Sequence, residues 1–193
     1  MAHLDAEVFL WLNGWVGRFA WVDVLMRLVV GDYLVPVLLS LVLFGLWFGA
    51  RDPQQRTRLQ YAVAAAAISL ALVNLWISLI NDVYFRPRPF TQYEVDLLFY
   101  APTDSSFPAN PAAIAFAVAA GLWGSVRRLG GVLFGVAALY GFSRVYAGVA
   151  YPLDVVAGGL LGIVTAYLVR RALALLEPAP TYCLRLLRFL CLA

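Results

Sequence analysis

Ser143, Arg144 and Asp154 lie in a short stretch, SRVYAGVAYPLD, whose residue types suit the binding of an anion. A guanidinium group offers a planar fork of N–H donors that matches the oxygens of a phosphate. Arg88 lies in an earlier polar stretch, NDVYFRPRP, which begins at Asn81. Backbone N–H groups at the start of a nearby helix would add further donors. The residues therefore predict an anion site that contains Arg88 and Arg144.

The same residues also fit a purely structural role. Arg88 and Arg144 could instead pair with Asp82, Asp104 or Asp154 and hold the polar loop against the helices. Asp154 falls in the first turn of a predicted helix, where a carboxylate favours the positive end of the helix dipole. It could therefore be only a helix cap or a partner for Arg144. The residues alone leave both interpretations open.

The composition indicates a membrane protein. Of the 193 residues, 63% are hydrophobic and only 13% are charged, which is too apolar for an ordinary soluble domain. The net charge is only +3, and all fourteen basic residues are arginines scattered in ones and twos. Since they form no basic stripe, the sequence excludes nucleic acid as a partner.

Cysteine and histidine are scarce, which bears on metal and cofactor binding. Cys183 and Cys191 lie among Leu and Phe near the C-terminus, with neither metal-ligand spacing nor a disulfide framework. They are ordinary apolar residues in the simplest interpretation and lipidation sites in the alternative. The single histidine is His3. We therefore expect no metal site and no cofactor.

Five apolar runs predict membrane helices, at 33–50, 59–84, 111–125, 131–149 and 152–176. A polar loop, residues 85–110, separates the second run from the third, and its prolines and acids stop any helix. Residues 12–31 could add a more tilted segment. The predicted fold class is all-α, a polytopic membrane bundle of five to six spans.

Arginine clusters predict the orientation of this bundle, because cytoplasmic loops carry an excess of basic residues. The clusters are Arg51, Arg56 and Arg58; Arg127 and Arg128; and Arg170 and Arg171. If the runs alternate in direction, all three clusters fall at one end, and the polar loop and the turn 149–152 fall at the other. We therefore expect an integral protein of the plasma (inner) membrane whose anion site faces the non-cytoplasmic side.

The whole chain, 1–193, is predicted to form one integral-membrane domain. Residues 1–32 form an N-terminal amphipathic or tilted segment, which either lies in the interface or packs on the other helices. Residues 33–176 form the helical core. Residues 177–193 form a cytoplasmic or surface-lying tail, whose apolar face beside Arg185 and Arg188 could instead bind a partner.

Three motifs resemble those of the type-2 phosphatidic acid phosphatase family, integral-membrane lipid phosphatases related in fold to the vanadium haloperoxidases. The family motifs read Lys, six residues, Arg-Pro; then Pro-Ser-Gly-His; then Ser-Arg, five residues, His, three residues, Asp. Here they read NDVYFRPRP, FPANP and SRVYAGVAYPLD, in the same order and with the same internal spacing. The resemblance covers roughly residues 33–172 and implies the fold of that family.

The resemblance implies roles for the residues that match the motifs. Arg88 and Arg144 correspond to the family's arginines that bind the phosphate. Asp154 corresponds to the acid that orients the nucleophilic histidine, and Ser143 to the serine before the second arginine. These two residues would support an anion pocket rather than form it.

The remaining motif positions depart from the family. Asn81 replaces the Lys, Ala109 the phosphate-binding Ser and Asn110 the Gly. Pro111 replaces the histidine that protonates the leaving group, and Ala150 replaces the histidine that attacks phosphorus. Because the family mechanism needs both histidines, we predict that the chain has no catalytic residues and is inactive.

Three functional hypotheses follow. The first is an inactive protein that keeps an anion pocket for a membrane lipid phosphate, with Arg88, Arg144, Asn81 and Asn110 as its binding residues. The second is a structural or accessory subunit that contacts other membrane proteins. The third is an active lipid phosphatase with a nucleophile outside the family pattern, chosen from Tyr146, Tyr151, Ser143 and Asp154.

Overall fold

The computed structural model describes residues 2–189, and within that range all regular structure is helical. Cys191 lies outside the described residues, as does the side chain of Arg188. A short 3-10 helix, Pro89–Thr91, lies in the polar loop. The α-helices are α1 (Ala2–Asn13), α2 (Ala20–Val30), α3 (Leu34–Phe48), α4 (Pro53–Val83), α5 (Asn110–Trp123), α6 (Arg127–Tyr146), α7 (Pro152–Leu175) and α8 (Ala179–Phe189).

The predicted apolar runs all form helices, although their lengths differ. Helices α4, α6 and α7 are each long and apolar enough to cross a membrane. Helices α2 and α3 pass the same test together, as one span bent by 54° at residues 31–33. Helix α5 has only 14 residues, about 21 Å at the usual rise per residue. The all-α membrane bundle is confirmed, with three or four spans by length and composition among the described residues.

Helix α5 lies at the centre of the bundle and packs against α4, α6 and α7. Five of its six alanines are fully buried, namely Ala112, Ala113, Ala115, Ala117 and Ala119. Small side chains let the surrounding helices approach closely, and close packing replaces the hydrophobic effect as the driving force inside a membrane. The short apolar helix therefore serves as the core of the bundle.

The tightest contact in the bundle lies between α5 and α7. A side chain at Gly158 would fall on the backbone carbonyl of Ala109, and one at Gly162 on that of Ala113. Only a residue without Cβ fits at either position. This contact fixes the start of α7, and hence Asp154, against the start of α5.

Replacing Gly162 by alanine is therefore expected to destabilise the protein. The added methyl group must push α7 away from the backbone of α5, at a cost of about 1–3 kcal/mol. Gly135→Ala is the matched control, since nothing lies within 4 Å of its added Cβ and alanine is the better helix former by about 1 kcal/mol. Unfolding midpoints in detergent should fall for Gly162→Ala and hold or rise for Gly135→Ala. Equal midpoints would contradict the close α5–α7 contact.

The N-terminal helix has one face on the bundle and one face outside it. Phe9 is fully buried and packs with Val145 and Tyr151. Leu4 and Trp11 lie on the outer face and are 66% and 63% exposed. Helix α1 therefore packs on α6 and α7 and presents an apolar surface on its other side.

The three arginine clusters lie at one end of the bundle, as the sequence predicts. Arg58 at the start of α4 donates to the carbonyl of Ser125, just before α6. Arg170 near the end of α7 donates to the carbonyl of Gly121 near the end of α5, at 3.2 Å. The polar loop and the α6–α7 turn therefore meet at the opposite end, where all three sequence motifs converge.

Candidate functional site

The polar loop is held in place by its own backbone. Helix α4 ends at Val83, and Pro87 and Pro89 keep the following residues extended. The backbone N–H of Ser106 donates to the carbonyl of Arg86 at 2.9 Å. The N–H of Arg86 donates to the hydroxyl of Ser105 at 3.1 Å. The two halves of the loop therefore run side by side and direct Arg86 and Arg88 into the end of the bundle.

Arg88 is buried, and its guanidinium is fully engaged by the chain itself. It donates to the carbonyl of Val149 at 2.6 Å and to the carbonyl of Asp104 at 3.0 Å. It also pairs with the Asp104 carboxylate at 2.8 Å. These bonds join the polar loop to the α6–α7 turn. Arg88 therefore pairs with Asp104, which was the structural alternative to anion binding in the sequence analysis.

Arg144 is also buried, but one of its donors is free. Its guanidinium pairs with Asp32 at 2.7 Å and donates to the hydroxyl of Tyr140 at 3.0 Å. It stacks on the ring of Phe99 at 4.8 Å from the centroid. Its Nε is buried and has no hydrogen-bond partner among the described residues. An unpaired buried N–H is costly, so this atom marks a place where an acceptor is missing.

Asp154 lies in a buried network centred on Arg86. Its carboxylate accepts a hydrogen bond from Ser106 at 2.6 Å and pairs with Arg86, which pairs with Asp5 of α1 at 2.8 Å. Both carboxylates have fully buried side chains. Burial works to lower the pKa of Arg86, but the hydrogen bond to Asp5 and the charge of Asp154 outweigh it and raise that pKa.

The Arg144–Asp154 pair, one of the alternatives left open by the sequence, does not form. Arg144 points toward the α2–α3 link and pairs with Asp32. Arg86 reaches Asp154 instead, because the extended polar loop carries it over the ring of Tyr151, at 4.1 Å from the centroid.

A cavity of about 360 Å³ lies between α3, α4, α5 and α6. Its polar end contains Arg144, Asn110 and Asp32. The Asn110 side-chain oxygen is buried without a hydrogen-bond partner in residues 2–189, as is that of Asn81. The apolar walls comprise Pro36, Leu39, Leu43, Leu70, Ile114 and Val118. The cavity therefore has apolar walls and a polar end that contains two residues with an unpaired buried atom, Arg144 and Asn110.

Comparison with known proteins identifies the fold. Residues 62–176 match the model of the PAP2 superfamily. The chain belongs to the PAP2 superfamily. It is 32% identical to the undecaprenyl-diphosphatase BcrC of Bacillus subtilis, over 91% of this chain and 87% of the relative. The resemblance seen in the three motifs is thus confirmed.

Solved structures agree with this membership. The crystal structure of Aquifex aeolicus LpxE matches with a TM-score of 0.66 and 29% identity, over 86% of this chain and 93% of that one. The transmembrane PAP2 type phosphatidylglycerolphosphate phosphatase from Bacillus subtilis matches with a TM-score of 0.66 at 19% identity, over 92% and 88% of the two chains. The protein is therefore an integral membrane protein of the PAP2 fold.

Neither of the two PAP2 histidine positions holds a titratable group in this chain. Ala150 is 2% exposed in the α6–α7 turn, and Pro111 is the half-buried second residue of α5. Ala109, at the serine position, donates its backbone N–H to the carbonyl of Asp154 at 3.0 Å. His3 lies on α1, where it pairs with Glu7 and is 87% exposed. It therefore replaces neither histidine.

The candidate nucleophiles outside the PAP2 pattern are all engaged by hydrogen bonds. The hydroxyl of Tyr146 donates to Asp23 at 2.7 Å, and that of Ser143 to the carbonyl of Tyr140 at 2.7 Å. Tyr151 donates to Gln92 at 2.9 Å, and burial raises the pKa of its phenol. A tyrosine that stays protonated at neutral pH is a poor nucleophile, and Asp154 is already paired as described above.

Sequence reasoning missed three residues of this end of the bundle, namely Asp5, Asp32 and Ser106. It placed Arg86 at this end but gave it no role. Asp5 and Asp32 lie in the N-terminal segment, far from the motifs along the chain. One signal could have indicated them, because acids in an otherwise apolar membrane segment need a cationic partner. The sequence could not say which arginine each acid would meet.

Proposed function

We propose that this protein is a non-hydrolytic member of the PAP2 superfamily that binds a lipid phosphate in the cavity beside Arg144. One observation carries the proposal: Arg144 of the PAP2 pattern lines the cavity, while both histidine positions hold residues that cannot do the chemistry. The side chains that could substitute as nucleophiles are already hydrogen-bonded elsewhere. A site of this kind can hold a phosphate but lacks the groups that would break its ester bond.

The shape of the cavity supports a lipid as the ligand. A long apolar chain fits the wall of Leu39, Leu43 and Val118, and the head group then meets Arg144 and Asn110. The unpaired Nε of Arg144 can donate to a phosphate oxygen. Because the relative from Bacillus subtilis is named for undecaprenyl diphosphate, polyprenyl phosphates are the first ligands to test.

Asp32 and Asp104 fit this proposal as counter-charges that a ligand can replace. Each holds a buried arginine, yet the Asp32 side chain is 46% exposed and that of Asp104 is 61% exposed. Exposed carboxylates lose little when they return to water. A lipid phosphate would take the place of Asp32 on Arg144, and the arginine would never be buried without an anion.

The orientation of the site belongs to the proposal as well. The three arginine clusters lie at the end of the bundle away from Arg144, and the positive-inside rule places such clusters in the cytoplasm. We therefore place the cavity at the non-cytoplasmic side of the plasma membrane. A lipid phosphate exposed at that surface would reach the cavity from within the outer leaflet.

A binding titration with a short-chain polyprenyl phosphate tests the proposal. We expect saturable binding, measured by isothermal titration in detergent, that Arg144→Ala weakens about tenfold or more because it removes charged hydrogen bonds. Asp32→Asn should strengthen binding about three- to fivefold, since the ligand no longer competes with a carboxylate worth roughly 1 kcal/mol.

The controls separate the local effect from a general change of charge. Asp82→Asn removes an exposed carboxylate at the same end that forms no ion pair in the described part of the chain, so its affinity should match the wild type. The corresponding polyprenol, which lacks the phosphate, should bind more weakly than the phosphate. Binding that is unaffected by Arg144→Ala would reject the proposed site.

A further inference from the structure

We propose a second lipid site at the opposite end of the bundle, in a groove between α5, α6 and α7 that binds the head group of an anionic phospholipid. The basic groove, as we call it, has a volume of about 710 Å³. It is formed by Ala120, Trp123, Gly124, Phe134, Ile163, Tyr167, Arg170, Arg171 and Ala174. It lies among the arginine clusters and is separate from the cavity beside Arg144.

The two arginines of the basic groove have no acidic partner. Arg170 donates to the carbonyl of Gly121 at 3.2 Å, and Arg171 donates to the hydroxyl of Tyr167 at 3.1 Å. Neither forms an ion pair within residues 2–189, and no residue lining the groove is acidic. At the other end, by contrast, Arg86, Arg88 and Arg144 each pair with a carboxylate of this chain. The groove therefore carries uncompensated positive charge.

The guanidinium of Arg170 lies directly beside Gly124. A side chain at Gly124 would collide with the guanidinium of Arg170, so the glycine leaves the space that the arginine occupies. Arg171 lies over the ring of Tyr167 at 5.3 Å from the centroid. Both guanidinium groups line the groove, and each offers a fork of N–H donors that matches the oxygens of a phosphate.

The walls of the basic groove identify the ligand as a phospholipid rather than a soluble anion. Trp123 and Tyr167 are 43% and 57% exposed, and aromatic side chains of this kind concentrate at the membrane interface. Phe134 and Ile163 continue the groove as an apolar surface along which an acyl chain can lie. Basic pockets between membrane helices bind anionic lipid head groups through this combination of charge and apolar contact.

Lipid retention measures the proposed site directly. The full chain is incubated in mixed micelles of phosphatidylglycerol and phosphatidylcholine and repurified, and the bound lipid is counted by native mass spectrometry. Arg170→Gln/Arg171→Gln should lower the retained phosphatidylglycerol at least fivefold. Arg127→Gln/Arg128→Gln removes the same charge at the same end but outside the groove, and it should retain the wild-type amount.

Three outcomes of this experiment would overturn the proposal. Equal losses in the two double variants would mean that only the overall charge of this end attracts the lipid, and equal retention would mean that the groove holds none. Release of the lipid by millimolar inorganic phosphate would instead indicate a site for the free anion.

A second measurement needs no arginine variant. Phosphatidylglycerol with brominated acyl chains should quench the fluorescence of Trp123, obtained as the difference between the wild type and Trp123→Phe. Brominated phosphatidylcholine should quench it at least twofold less at equal concentration. Equal quenching by the two lipids would contradict a site selective for anionic head groups.

Discussion

Purified wild-type protein is expected to release no phosphate from lipid monophosphates or diphosphates beyond the rate of an Arg144→Ala variant. Hydrolysis in the PAP2 family needs a nucleophile at the position of Ala150 and a proton donor at the position of Pro111. General acid–base groups typically contribute a hundred- to ten-thousandfold in rate, and catalytic groups that act together fail together. Arg144 binds phosphate in our proposal, so its loss should change nothing when there is no turnover to lose.

A variant that restores the family pattern is expected to gain activity. It carries Ala150→His, Pro111→His, Ala109→Ser and Asn81→Lys. Asp154 lies four residues after position 150 and is fixed by Ser106 and Arg86, so it is in place to orient a new histidine. We expect phosphate release at least about a thousandfold above the wild type, measured on a polyprenyl diphosphate in detergent.

The assays of the wild type and of the restored variant can each contradict a different part of the proposal. Wild-type turnover well above that of Arg144→Ala would reject the non-hydrolytic assignment and require a nucleophile outside the family pattern. An inert restored variant that still binds polyprenyl phosphate would mean that the binding pocket persists without room for the chemistry. An inert restored variant that does not bind would reject the pocket as well.

The helices of this fold could be predicted from the sequence because apolar runs and prolines set them locally. Helix α7 begins at Pro152, where proline suits the first turn. The polar loop ends where α5 begins, at Asn110. In a membrane, each run must satisfy its own backbone hydrogen bonds, so its helical state does not depend on its neighbours.

The ion pairs could be predicted only in part because they depend on which helices become neighbours. The Arg88–Asp104 pair joins residues 16 apart within one loop and was among the alternatives. The Arg144–Asp32 pair joins residues 112 apart, and the Arg86–Asp5 pair joins residues 81 apart. Hydrophobic periodicity gives the face of a helix that is buried but not the helix that covers it. The partners of the buried arginines therefore appear only in the folded chain.

Arg86→Ala is expected to cause the largest loss of stability of any single change at this end of the bundle. The side chains of Asp5 and Asp154 are fully buried, whereas that of Arg86 is 21% exposed. Removing the arginine leaves two buried carboxylates facing each other without a cation. Breaking a buried ion pair in this way costs about 3–5 kcal/mol, which we would measure as the free energy of unfolding in mixed detergent micelles.

Two control variants distinguish the buried charges from the loss of a long side chain. Arg18→Ala removes an exposed arginine that stacks on Trp15, and it should cost less than about 0.5 kcal/mol. Asp5→Asn/Arg86→Gln/Asp154→Asn removes all three charges with little change of shape, and it should be more stable than Arg86→Ala. If Arg86→Ala were as mild as Arg18→Ala, the network would not be formed in the membrane protein.

The stability of this network explains how the chain keeps the PAP2 fold without the PAP2 histidines. With alanine at position 150, no histidine pairs with Asp154. A buried carboxylate without any partner would destabilise the protein strongly. Arg86 and Ser106 take up both of its oxygens, and Asp5 shares the arginine. The variant Asp5→Asn/Arg86→Gln/Asp154→Asn therefore tests a specific consequence. A network without charges should keep much of the stability that Arg86→Ala loses, because it leaves no buried carboxylate without a cation.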